Sequence, residues 1–201
     1  MATPKAIREM GSQLAILMDD GSKMLAYPTT GGLWRVRGAG EIIDPPVDPP
    51  AGGALYNPWA SYGVTGTWED HASYSQGGLD YPLGFGTTLL APATGTLEAG
   101  TWTDAAGRRQ VLRLNSSFAR KLPKSGTHMN GASYEAEGPM VAIVFQHMSE
   151  FGNTGAKAQG ESMGKSGASA SPSAGEYGGD VHLHVHGLDA NGARLDIWKF
   201  F

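Results

Sequence analysis

The chain has 201 residues, of which 30 are Gly and 12 Pro, with 17% charged residues and a net charge of −4. That balance excludes a nucleic-acid binder, which shows a basic excess. It leaves room for one domain plus an appendage. No cysteine is present, so disulfides and Cys-ligated metal sites are excluded.

The chain begins Met1-Ala-Thr-Pro-Lys-Ala-Ile-Arg-Glu-Met10. This stretch has no long apolar core, so it is read as no signal peptide, and no segment is long enough for a membrane span. Residues 5–10 are expected to form a helical turn. Gln13–Met18 and Lys23–Tyr27 flank Asp19-Asp20-Gly21-Ser22 and predict a β-hairpin. Gly32–Val36 suggests a third strand. Residues 1–43 are too few for a comfortable core of their own. They are read as an N-terminal hairpin arm, either packed on the main domain or docked onto another chain. Four prolines in residues 44–52 predict a stiff linker. The main domain is expected over 53–201.

Beyond the linker the pattern predicts a mainly β fold, an antiparallel sheet or sandwich. Short strands are expected at Gly78–Tyr81, Thr87–Ala91 and Gly95–Glu98. Gln110–Leu114 alternates polar and apolar residues, as a half-buried strand does. Met140–His147 is the strongest strand signal. Residues 115–139 and 164–180, polar or rich in Gly, Ser and Ala, are expected to be loops walling a groove. Val181–His186 and Leu195–Trp198 complete the strands.

Three of the six histidines stand in His182-Leu183-His184-Val185-His186. Alternate residues of a strand share a face, so the three imidazoles point one way, with neighbours about 6–7 Å apart. Two of them can face one metal ion, or one can ligate while the next handles a proton. His128 is expected to be a solvated loop residue. The five tryptophans are expected to pack in the core or at edges.

Taken in order, these motifs resemble the lysostaphin/LytM-type zinc endopeptidases, which cut peptide crosslinks in bacterial peptidoglycan. The resemblance covers residues 74–186. Gln76-Gly-Gly-Leu-Asp80 stands where the family has His-x-Gly-x-Asp. Gly86-Thr-Thr-Leu-Leu-Ala91-Pro-Ala-Thr-Gly95, Val144-Phe-Gln-His147 and Gly160-Glu-Ser-Met-Gly164-Lys-Ser-Gly167 follow, and His182-Leu183-His184 closes the series. The resemblance implies Asp80 and His184 as zinc ligands, with His147 and His182 as catalytic residues beside the reacting water.

The first ligand position holds Gln76, and a neutral amide oxygen is a poor zinc ligand beside imidazole. Three outcomes are open: His71 replaces the missing imidazole, His186 does, or the domain has a degenerate metal site kept for binding or architecture. The functional expectation is a bacteriophage virion protein of the tail or tail tip whose domain contacts the host cell wall with a degenerate site. The alternative is an active, endolysin-like zinc peptidoglycan endopeptidase. The expected partners are peptidoglycan and, through the N-terminal arm, other tail proteins in an oligomer, with no nucleic acid and no membrane. Zn²⁺ is expected if the domain is active.

Overall fold

The computed structural model describes residues 54–73, 77–103, 106–124, 135–170 and 177–201, together with four strands between 4 and 38. The chain divides into two compact units, Met1–Pro46 and Val47–Phe201. The proline-rich stretch at 44–52 lies outside the described residues.

The first unit contains β1 (Pro4–Met10), β2 (Gln13–Met18), β3 (Lys23–Pro28) and β4 (Trp34–Gly38). They form one antiparallel sheet in the order β1-β2-β3-β4. The expected hairpin is β2–β3, with Leu14 opposite Ala26 and Leu17 opposite Lys23. Residues 5–10, expected as a helical turn, instead form β1 and pair with β2. The apolar run of β2 offers a ready edge, and six residues are too few to hold an isolated helix against it.

The second unit is one ten-stranded antiparallel sheet. Its strands are β5 (Leu79–Tyr81), β6 (Thr88–Leu90), β7 (Gly95–Leu97), β8 (Thr101–Thr103), β9 (Gly107–Phe118), β10 (Met140–Phe151), β11 (Gly155–Lys157), β12 (Ser162–Ala170), β13 (Tyr177–Leu188) and β14 (Arg194–Leu195). The expected mainly β, antiparallel fold is therefore what forms. The continuous path is β11-β7-β9-β10-β12-β13-β14, with β5 on β13, β6 on β12 and β8 on β9.

The long strand β10 organises this sheet by changing partner. Its first half, Ala142 to Gln146, pairs with β13, and its far end, Met148 to Phe151, pairs with β12. The register to β9 slips between Phe145 and Met148. His147 sits at that bulge with a φ of 61°, a left-handed conformation uncommon outside glycine.

The alternation of β10 and β13 separates two faces. Ile143, Phe145, Leu183 and Val185 point into the main core with Trp59, Leu89, Leu97, Leu112 and Phe200. Trp59 meets Phe145 edge-on, with centroids 5.8 Å apart, an arrangement that favours the aromatic quadrupoles. On the opposite face Val111, Ala142, Val144 and Leu188 form a second, smaller apolar cluster.

Two expectations for this unit are corrected. The Gly/Ser/Ala stretch at 164–180 was expected as a loop, yet 162–170 is β12 and β13 begins at Tyr177. Close packing against the bulge is the reason: a Cβ on Gly167 would lie 2.6 Å from the His147 carbonyl oxygen. Small residues are what let β12 approach there. The last strand was expected at 195–198, but it ends at Leu195 and Ile197–Phe200 is a 3-10 turn. Asp196 caps that turn by accepting from the Trp198 N–H.

One buried side chain ties three strand ends together. Gln110 is 1% exposed. Its Nε2 donates to the carbonyls of Glu98 and Gly152 at 3.0 Å each, and its Oε1 accepts from the Gly152 N–H at 2.8 Å. Gln110→Leu keeps the volume but strands these groups, at about 1–3 kcal/mol for each one left buried. Urea unfolding is expected to show that loss as a lower midpoint.

Candidate metal centre

β5 and β13 pair with Asp80 opposite His184, flanked by Tyr81 opposite Leu183 and Leu79 opposite Val185. The flanking pairs are buried in the core. By strand alternation Asp80 and His184 then emerge together on the other face. His182 and His186 share the side of His184.

The Asp80 carboxylate is the hub of the site. Its Oδ1 lies 2.9 Å from His184 Nδ1 and 3.6 Å from His182 Nε2, and its Oδ2 lies 3.2 Å from His71 Nε2. Burial alone would raise the pKa of this carboxyl, but the hydrogen bonds with His184 and His71 outweigh it and hold the group well below the usual carboxylate range.

His71 arrives on a 3-10 turn, Asp70–Ser73. Asp70 fixes the entry to the turn: its Oδ2 accepts from the Thr67 N–H at 2.8 Å and from the Thr67 hydroxyl at 2.7 Å. The neighbouring Asp70 is therefore a loop clamp. His71 Nδ1–H donates to the Thr67 carbonyl at 2.7 Å. A carbonyl only accepts, so in the neutral imidazole the lone pair sits on Nε2, facing Asp80. Burial would lower the His71 pKa, but hydrogen bonds with Asp80 and Thr67 raise it above the ordinary histidine value.

This donor set fits a zinc ion. A lone pair aimed at a carboxylate oxygen calls for a cation between them, either a proton or a metal. His71, Asp80 and His184 each offer one ligand atom, all within 4.8 Å of one another. Two imidazoles and a carboxylate are a ligand set of the catalytic type, with a coordination position left for water. The bond from His71 to the Thr67 carbonyl is the outer contact that orients a metal-ligating histidine. Space is also matched: a Cβ on Gly78 would fall 2.3 Å from His184 Nε2, so only glycine fits there.

His147 and His182 stand beside this group. Their rings meet edge to face with centroids 4.6 Å apart, and His147 lies 5.8 Å from His184. The Ala106 carbonyl accepts from both the His147 backbone N–H, at 3.0 Å, and its Nδ1–H, at 3.1 Å. That double contact fixes the bulge and leaves the lone pair on Nε2. Burial first, then the neighbouring His182 and His184, push the His147 pKa down to about 3. His182 Nδ1–H donates to the Asp180 carbonyl at 2.9 Å, which likewise leaves Nε2 as the reactive nitrogen.

The structure thus brings together Asp80, His184, His147, His182 and, of the two replacements considered for Gln76, His71. His186 lies behind His184 at 5.6 Å between centroids and is not one of the three ligand candidates. Gln76 and His128 lie outside the described residues. Sequence reasoning missed the Thr67–Asp70 clamp, although Thr67-Trp-Glu-Asp70 has the spacing of a capping pair. It also missed the Ala106 carbonyl, which no side-chain motif announces.

No family model and no curated protein matches the sequence. Among solved structures, the chain is similar to a zinc-containing peptidase from Vibrio cholerae, at 14% identity and a TM-score of 0.47 over 92% of this chain and 48% of that one. It is also similar to Csd3 from Helicobacter pylori, at 13% identity and a TM-score of 0.44 over 94% of this chain and 44% of that one. A protein assigned to peptidase M23 from Pseudomonas aeruginosa matches at 18% identity and a TM-score of 0.44 over 99% of this chain and 86% of that one. The chain spans about half the length of the first two.

If His71 supplies the third ligand, zinc-loaded and desalted protein retains about one ion per chain. His71→Ala and Asp80→Ala are each expected to lose it, and Gln76→Ala to keep it, by elemental analysis. Loss of zinc in Gln76→Ala with retention in His71→Ala would reverse the assignment.

Proposed function

We propose that residues 53–201 form a zinc-dependent endopeptidase that cuts peptide crosslinks of bacterial peptidoglycan. The observation that carries this reading is the convergence of His71 and His184 on the two oxygens of Asp80, with His147 and His182 alongside. It favours the active alternative over a degenerate site, because His71 offers a third ligand atom beside Asp80 and His184.

His71, Asp80 and His184 would hold the zinc. Bound there, zinc supplies Lewis acidity, polarising a scissile carbonyl and lowering the pKa of a water. The remaining chemistry belongs to the chain. His147, kept neutral by burial, presents the Nε2 lone pair as an acceptor that orients a water hydrogen. His182 is more open to solvent than His147. Its Nε2, next to Asp80, is placed to take a proton from the attacking water and pass it to the leaving amine. The peptidoglycan substrate is supported by the ordered motifs of the sequence, above all His182-Leu183-His184.

A phage virion is the setting we propose. It is supported by the separate N-terminal unit Met1–Pro46, which suits docking onto other tail proteins. In that case the full chain self-associates in analytical ultracentrifugation, and a chain starting at Val47 sediments as a monomer.

Hydrolysis is tested on purified peptidoglycan by release of free amino groups. His147→Ala and His182→Ala are each expected to slow cleavage by about 10²–10⁴-fold while zinc content stays unchanged. Zinc retention with no cleavage by the parent chain on any crosslink type would leave wall binding as the better account.

A further inference from the structure

Gly77 and Gly78 lie just ahead of β5, outside its ladder with β13. Adjacent glycines make a loose backbone, since neither has a Cβ to restrict it, yet both are buried. Gly77 holds a φ of 73°, and a Cβ there would fall 2.6 Å from the Trp68 ring. A Cβ on Gly78 would fall 2.3 Å from Nε2 of His184 and 2.4 Å from its Cε1. The pair is thus a strap laid between the two candidate histidine ligands. Gly78 rests on the His184 ring. Gly77 rests on Trp68, which sits inside the Thr67–Asp70 clamp that delivers His71.

Arg194 ties this strap down. Its Nη1 donates to the Gly77 carbonyl at 2.9 Å. Register explains the reach. His184 and Gly187 of β13 both have β10 on one side, so β5 and β14 share the other edge, and Arg194 of β14 stands next in line to the start of β5. The need for a tie follows from His184. Its Nδ1 faces Asp80 at 2.9 Å, which makes Nε2 the outer nitrogen. A metal-ligating histidine ordinarily has its outer nitrogen on a fixed partner, as His71 has the Thr67 carbonyl. His184 Nε2 is buried with no hydrogen-bond partner among the described residues. Contact with Gly78 therefore orients the ring, and such a contact is only as firm as the backbone that makes it.

We propose that Arg194 is a positioning residue of the metal centre, pinning the Gly77–Gly78 strap so that it sets the His184 ring and backs the turn that carries His71. This rests on the metal-binding reading above. Arg194 acts through the Gly77 carbonyl and not on the ligands themselves. The sign of its effect separates this role from one of charge. A guanidinium near a cation site repels the ion, so charge alone gives no reason to place one there, and removing it would tighten metal binding. Removing the tie instead frees the ring and weakens metal binding. One substitution therefore sets the two effects against each other.

The test is zinc competition against a chromogenic chelator with the full chain, beside hydrogen–deuterium exchange of the chelated, metal-free protein. Arg194→Met keeps the apolar stem and removes both donor and charge. It is expected to bind zinc about 10–100-fold more weakly. In the metal-free protein its peptides covering Gly77 to Tyr81 are expected to exchange faster, with β10 unchanged. Arg194→Lys keeps a donor and the charge, and is expected to recover most of the lost affinity. Where Arg194→Met does not fold, Arg194→Gln, shorter but polar, carries the same expectation. Unchanged or tighter zinc binding in the Met or Gln variant overturns the proposal, as does a Lys variant no better than either. Weaker zinc binding with unaltered exchange over Gly77 to Tyr81 overturns it too, since the strap was then never released. Failure of the metal reading looks different: the parent chain itself retains no zinc, and the positioning role falls with the centre it serves.

Discussion

The site depends on one carboxylate that is bound from both oxygens. Asp80 takes His71 on Oδ2 and His184 on Oδ1, and His182 approaches the same Oδ1. Its burial would normally favour the neutral acid, yet the imidazoles keep it charged. That charge aligns the histidine nitrogens that would hold a metal. Remove it and the three rings lose their common target, and like charges or orphaned nitrogens would face one another. The strand pairing that sets Asp80 opposite His184 is therefore as much part of the site as the side chains.

The second constraint is the bulge in β10. A regular strand would send Gln146 and His147 to opposite faces. The slipped register and the left-handed backbone at His147 break that rule, and the imidazole reaches the neighbourhood of His182 and His184. Such a conformation costs about 1–3 kcal/mol, offset here by two hydrogen bonds to the Ala106 carbonyl and by the dense packing of Phe145 and Met148 on either side. The same bulge is where β10 exchanges β13 for β12. Catalytic geometry and sheet topology are thus set by one irregularity.

How much of this was legible in the sequence follows from which interactions are local. The His182, His184 and His186 row could be read directly, because a period of two on a strand needs no tertiary knowledge. The alternation of core and site along β13 was readable for the same reason. β12 was not, because its Gly, Ser and Ala residues have low strand propensity and are chosen for closeness to the bulge. His71 was only a candidate. Its distance in sequence from Asp80 says nothing of a Thr67–Asp70 clamp that turns the chain toward the carboxylate.

The working face differs from the core in the kind of group it buries. On the core side, the polar Gln110 is answered by the backbone of Glu98 and Gly152. On the other side, the Asp80 carboxylate is shared among His71, His182 and His184 instead of being answered by one cation. Burying a carboxylate among imidazoles costs solvation that packing alone does not return. Folding stability by itself gives no reason to gather these groups, so their gathering on one face marks the working side of the sheet.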